Sequence, residues 1–272
     1  MDYLAYWQLN KKPFENIADP EFFYYSPCHK EAMVRLVYVI KQNKAGALLA
    51  GDYGTGKTTI ANELLAEIEE NENYRSIYIS NPLLSSRELL QEIALLTGVE
   101  ENINSRAILR KKIENVLRDV DSAGYRMIVI IDEAHLITKK DVLEELRLMM
   151  NLQAEKHFLV TIIMMGQLEL RDTINQMPQF KQRFAMCYLL RHLDKNETSG
   201  YIRHRLKLAG TEREIFDAKA VDSIYAASSG RPRQINNICD MSLLVGYMRK
   251  NNYVDSTIIE EVIKDFGEEG HR

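Results

Sequence analysis

A doubly wound, parallel five-stranded α/β sheet followed by an all-helical domain is the fold class this sequence predicts, and three observations carry it. Short apolar runs such as residues 127–131 (MIVII) lack polar alternation, as strands covered by helices on both faces do. These runs alternate with segments of helical period as far as Leu193, the pattern of a right-handed doubly wound sheet. Beyond Leu193 no strand candidate remains. The expected division is an α/β domain over residues 1–193 and a helical lid over residues 194–272.

Element by element, residues 1–26 hold Tyr3, Tyr6, Trp7, Phe14, Phe22, Phe23, Tyr24 and Tyr25 with Pro13 and Pro20. Each proline removes a backbone donor and restricts its predecessor, so this segment reads as an aromatic strap and not as one helix. Ala32, Leu36, Val37 and Ile40 recur at helical spacing, which predicts a helix over 27–43. A first strand over 47–50 leads through a glycine loop to a helix ending near residue 70, and RSIYIS at 75–80 alternates as a second strand. Helices follow over 85–97 and 105–121, the first opened by a Ser-Ser-x-Glu able to cap it. The third strand is 127–131, then come a helix over 140–152 and strands over 158–165 and 186–190. Helical stretches over 195–208, 217–228, 232–249 and 256–266 complete the chain.

The 272 residues carry 46% apolar and 27% charged side chains, an ordinary soluble balance. With 35 basic against 39 acidic residues the net charge is -4, which argues against a dedicated, strongly basic nucleic-acid binder. Cys28, Cys187 and Cys239 form no CxxC pair, so neither a disulfide framework nor a zinc spacing is present, and a reducing, cytoplasmic setting is expected. The first residues lack the apolar core of a secretory signal. No apolar run approaches the roughly 20 residues a membrane helix needs.

The chemistry concentrates at Gly51-Asp52-Tyr53-Gly54-Thr55-Gly56-Lys57-Thr58-Thr59, which matches the Walker A pattern in full between a strand and a helix. Glycines let the loop take positive φ and turn successive N–H groups toward phosphate oxygens, while the following helix points its N-terminal dipole at the same anion. Lys57 reaches the β and γ phosphates, and the Thr58 hydroxyl is a Mg²⁺ ligand. The aromatic strap then either packs over the core or walls the adenine pocket. Nothing resembles the N/T-K-x-D element that reads guanine, so ATP is the expected nucleotide.

Residues 128–133 (IVIIDE) form a Walker B pattern, with Asp132 a second Mg²⁺ ligand and Glu133 the group that orients and polarises the attacking water. Asp-Glu-Ala-His also spells a helicase box, but those enzymes use two RecA-like domains and the chain after residue 193 reads as helices only. His135 is therefore expected to be an ordinary loop residue. Gln167, at the end of the fourth strand, suits sensing of the γ-phosphate, or else is a surface turn. Arg183, just before the fifth strand, is the expected trans-acting arginine, with Arg171 a second candidate and a solvated arginine the alternative for both. Arg233 follows Gly230-Arg231-Pro232 at a helix start, from where it can reach back to the γ-phosphate.

Together these residues resemble the P-loop AAA+ ATPases. Trp7-x-Leu9-x3-Pro13-Phe14, Asp19-Pro20, Ser26-Pro27-x-His29, Gly166-Gln167-x-Glu169-Leu170 and Gly230-x-Pro232-Arg233-x-Ile235-Asn236 resemble, more narrowly, the bacterial ExeA (general secretion pathway protein A) and MshM family. Leu168 stands where that family's turn usually has proline. ExeA-type proteins continue into a membrane segment and a peptidoglycan-binding portion, whereas this chain ends at its helical lid, so the resemblance implies an ATPase acting through a separate protein partner. It further implies Mg²⁺-dependent ATP hydrolysis at subunit interfaces of a nucleotide-dependent ring or filament, coupled to assembly of secretion or pilus machinery. Relatives in the same broad group regulate transposition. Arg203, His204, Arg205 and Lys207 on one helix, with Lys181, Arg183 and Arg191, motivate that alternative, an ATP-bound oligomer on DNA. A nucleotide-gated scaffold with incidental hydrolysis is the third reading.

Overall fold

The computed structural model describes residues 2–17, 19–99 and 103–268. Helices α1 (Tyr3–Tyr6) and α2 (Pro27–Lys41) precede β1 (Gly46–Gly51), and α3 (Lys57–Glu69) and β2 (Tyr74–Ile79) follow it. Next come α4 (Ser86–Leu96), α5 (Arg106–Ser122), β3 (Arg126–Ile131), α6 (Lys140–Met149) and β4 (Val160–Gly166). Two short helices, α7 (Leu168–Asn175) and α8 (Pro178–Lys181), lead to β5 (Phe184–Leu190). The described chain closes with α9 (Lys195–Leu208), α10 (Ala218–Ser228), α11 (Pro232–Met248) and α12 (Ser256–Glu268). Among the described residues no helix is long and apolar enough to cross a membrane.

These elements form two compact units, one of residues 28–52 and 60–190, the other of residues 1–27, 53–59 and 191–272. In the first, five parallel strands take the order β2-β3-β4-β1-β5. Every residue of β1 and β4 is buried, as a central strand covered on both faces requires. Leu89, Leu90 and Ile93 of α4, Leu109 and Ile113 of α5, and Leu143 and Leu146 of α6 share a core with Val129, Ile131 and Ile162 of the sheet. The capping box read from Ser-Ser-x-Glu is present: Glu88 N–H donates to Ser85 Oγ, and Ser85 N–H donates to the Glu88 carboxylate. Because β4 lies between β3 and β1, the carboxyl ends of all three meet at one edge, with Ile131 opposite Met164 and Ala50 opposite Gly166.

The second unit is helical. A capping box of Asp194 and Glu197 starts α9, Asp217 caps α10, and Pro232 occupies the first turn of α11, where its missing N–H costs nothing. The division at residue 193 expected from the sequence placed the aromatic strap with the α/β domain. The structure instead packs Trp7, Leu9, Phe14 and Phe22 into one core with Ile202, Leu206, Ile224, Ile235 and Leu243 of the helical unit. Apolar area decides this: rings this large find their cover where helices α9 to α12 present an apolar face. Trp7 is fully buried and donates Nε1–H to the Leu243 carbonyl at 2.9 Å. Trp7→Ala is expected to destabilise the protein by about 3–5 kcal/mol, read as an earlier urea midpoint.

Candidate nucleotide site

At the carboxyl end of β3 the chain turns sharply. Asp132 is 1% exposed; its Oδ1 accepts the Glu133 backbone N–H at 2.8 Å and its Oδ2 accepts the Tyr78 hydroxyl at 3.3 Å. Burial, and then the Asp132 charge, push the Tyr78 phenol up to about 12, so it remains a donor throughout the neutral range. Tyr78 was not singled out in the sequence; the β2 to β3 register, which pairs it with Ile130, delivers it there. Glu133 adopts the left-handed region at φ 49, ψ 30, which is uncommon for a residue with a Cβ. Strain of this kind clusters at functional sites.

The turn after Glu133, Ala134–Leu136, carries His135. His135 places Nε2 3.0 Å from Gln167 Nε2 and Nδ1 3.3 Å from Glu133 Oε2. Gln167 occupies the N-cap position of α7 but makes no side-chain cap bond, so its amide is directed to His135 instead. Gly166 permits this approach, since a Cβ there would lie 2.9 Å from the His135 backbone nitrogen. The structure thus joins three residues that the sequence shows 34 positions apart at most, Glu133, His135 and Gln167.

The glycine loop belongs to the helical unit over Tyr53–Thr59, reached from Gly51 and Asp52 at the end of β1. Gly54 and Gly56 take φ of 73° and 91°, the left-handed conformation the motif requires. Thr55 and Lys57 are buried, while Thr58 is exposed in the first turn of α3 and Thr59 is half-buried. Arg233, second residue of α11, hydrogen-bonds the Tyr53 hydroxyl and sets its guanidinium carbon 5.3 Å from the Tyr53 ring centroid. A Cβ on Gly54 would be 3.4 Å from Arg233 Cβ, so the arginine lies directly against the loop. The Thr58 hydroxyl in one unit and the Asp132 carboxylate in the other are each hard oxygen, the donor type that Mg²⁺ takes.

Arg183 is located elsewhere. It precedes Phe184, which pairs with Gly46 at the start of β1, so it stands at the opposite end of the strands from Gly51. Its Nε is buried without a hydrogen-bond partner among the described residues. Arg171, on α7, has Nε 3.8 Å from Asp172. Of the basic cluster proposed for DNA, Arg205 is withdrawn from the surface, while Arg191 and Lys207 keep exposed side chains in their ion pairs. Arg205 is buried and donates to Tyr201 Oη and to the Pro13 and Glu15 carbonyls, Arg191 forks onto Glu197, and Lys207 pairs with Glu212 at 3.3 Å. His204 Nε2 lies 3.1 Å from the Phe23 carbonyl, and burial lowers its pKa.

Residues 40–174 match the family described as AAA domain. General secretion pathway protein A of Aeromonas hydrophila is 32% identical over 257 residues, which are 93% of this chain and 46% of that protein. The chain spans 40–58% of the lengths of the curated relatives it matches. Among solved structures, the Aeropyrum pernix ORC2 protein in its ADPNP-ADP complexes superposes with a TM-score of 0.67 at 14% identity, covering 94% of this chain and 71% of that one. The Aeropyrum pernix ORC1 protein in complex with DNA gives 0.66 at 16%, covering 90% and 67%. At such identities the likeness is one of fold. Motif, strand order and sequence similarity converge, and the chain belongs to the AAA+ ATPases.

Proposed function

We propose that this protein binds and hydrolyses ATP at interfaces between copies of itself and couples its nucleotide state to the assembly or remodelling of a partner protein complex of the secretion or pilus type. One observation carries the interface reading: Arg183 precedes Phe184, which pairs with Gly46, and so stands at the opposite end of β1 from Gly51. Six residues of strand separate them, about 20 Å, so Arg183 serves a neighbour's nucleotide and not its own. By the two motifs, residues 51–59 would cradle the phosphates, Lys57 would neutralise them, and Thr58 and Asp132 would be the ligands of Mg²⁺. Mg²⁺ would supply neutralisation of the charge that develops in the reaction. Glu133 orients and polarises the attacking water, Gln167 senses the γ-phosphate, and Arg233 ties α11 to the loop, so that nucleotide state reaches the helical unit. The identity to general secretion pathway protein A supports the partner class.

Light scattering with no nucleotide, ADP or a slowly hydrolysed ATP analogue, each with and without duplex DNA, tests the proposal. Assembly is expected with the analogue alone. Assembly that appears only when DNA is added favours the transposition-type regulator, a reading from which the buried Arg205 is withdrawn. A monomer under every condition rules out hydrolysis at interfaces.

A further inference from the structure

Glu133, His135 and Gln167 form a chain of contacts. The ring of His135 is 14% exposed, with one nitrogen facing each neighbour: Nε2 is 3.0 Å from Gln167 Nε2 and Nδ1 is 3.3 Å from Glu133 Oε2. A neutral imidazole has one donor and one acceptor. With the Gln167 amide N–H donating to Nε2, the ring proton sits on Nδ1, the nitrogen on the side of the Glu133 carboxylate. That second contact does not reach hydrogen-bond geometry, so Nδ1 is buried with no such partner among the described residues. A buried ring donor without an acceptor is unfavourable, and a small swing of the Glu133 side chain completes the bond. The backbone cannot swing in its place: the turn bearing His135 presses on Gly166, and Glu133 is fixed in the left-handed region.

We propose that His135 is a positioning residue for hydrolysis, which transmits the placement of the Gln167 amide to the Glu133 carboxylate. Gln167 sets the tautomer of the imidazole, and the tautomer decides whether Glu133 meets a donor or a lone pair. The carboxylate is thereby aimed when Gln167 is in place and released when that amide turns away. His135 need not touch the nucleotide to act in this way. The inference rests on the reading of Glu133 as the group that polarises water.

The test is steady-state hydrolysis and separately measured ATP affinity for the full chain carrying His135→Ala, His135→Asn, Gln167→Ala, the double change His135→Ala with Gln167→Ala, and Glu133→Gln. His135→Ala is expected to lower kcat about tenfold to a hundredfold, as misplacement of a reacting group does, with KM and ATP affinity within about twofold. His135→Asn, whose amide N–H overlies Nδ1–H, recovers most of that loss. The double variant is no slower than its slower parent, because both changes break one relay. Hydrolysis by His135→Ala at the unaltered rate, absence of any recovery by asparagine, or losses that multiply in the double variant overturn the proposal. A dead Glu133→Gln beside a fully active His135→Ala removes the role of His135 alone. An active Glu133→Gln removes the Glu133 reading, and the relay with it.

Discussion

Glu133→Gln is expected to bind ATP as tightly as the unaltered chain and to hydrolyse it at least about a hundredfold more slowly. The amide has nearly the shape of the carboxylate, so it fits the same left-handed turn and can still accept from His135 Nδ1. Its backbone N–H remains with Asp132 Oδ1, so the proposed metal ligand is undisturbed. What is lost is basicity, and with it the pull on the attacking water. Fluorescent-nucleotide titration and phosphate release measure the two quantities separately. Loss of binding together with turnover would show that Glu133 supports the loop and not the chemistry. The same variant tried in cells separates a motor from a nucleotide-gated scaffold, which tolerates it.

Arg183→Ala is expected to reduce turnover by about 10³ or more, equivalent to roughly 4 kcal/mol of transition-state stabilisation, while each copy still binds ATP. Mixing provides a direct test. Glu133→Gln and Arg183→Ala are each inactive alone, yet in random mixed assemblies about a quarter of heterologous interfaces join an intact Glu133 to an intact Arg183. Activity that reappears on mixing establishes action in trans. A mixture as inactive as its components excludes it and directs attention to Arg171.

The parts of this protein visible in its sequence are those set by short-range rules. Strand β3 could be read because five consecutive apolar residues suit only a doubly covered strand. The glycine loop could be read because phosphate chemistry fixes both residue types and spacing. Helix α7 escaped notice since only Leu170 and Ile174 of its eight residues are buried, too few to mark a period. The contacts of Tyr78 and His135 were hidden for another reason. They depend on strand register and on a tight turn against Gly166, which bring together residues with no local pattern in common. The cationic helix shows the reverse error: a row of charges looks like a surface until Arg205 is found buried on the Pro13 and Glu15 carbonyls.

The packing of Trp7 also sets an order of events in synthesis. Its partner, the Leu243 carbonyl, is 236 positions away, so the helical core cannot close until residue 243 has been made. The residues between 28 and 190 hold their own core and complete their sheet at β5, well before that. The α/β body is therefore available to fold first on the ribosome, while the strap waits with its rings exposed. Closing so long a loop is slow, and it makes the strap the segment most open to chaperones or misassociation during biogenesis.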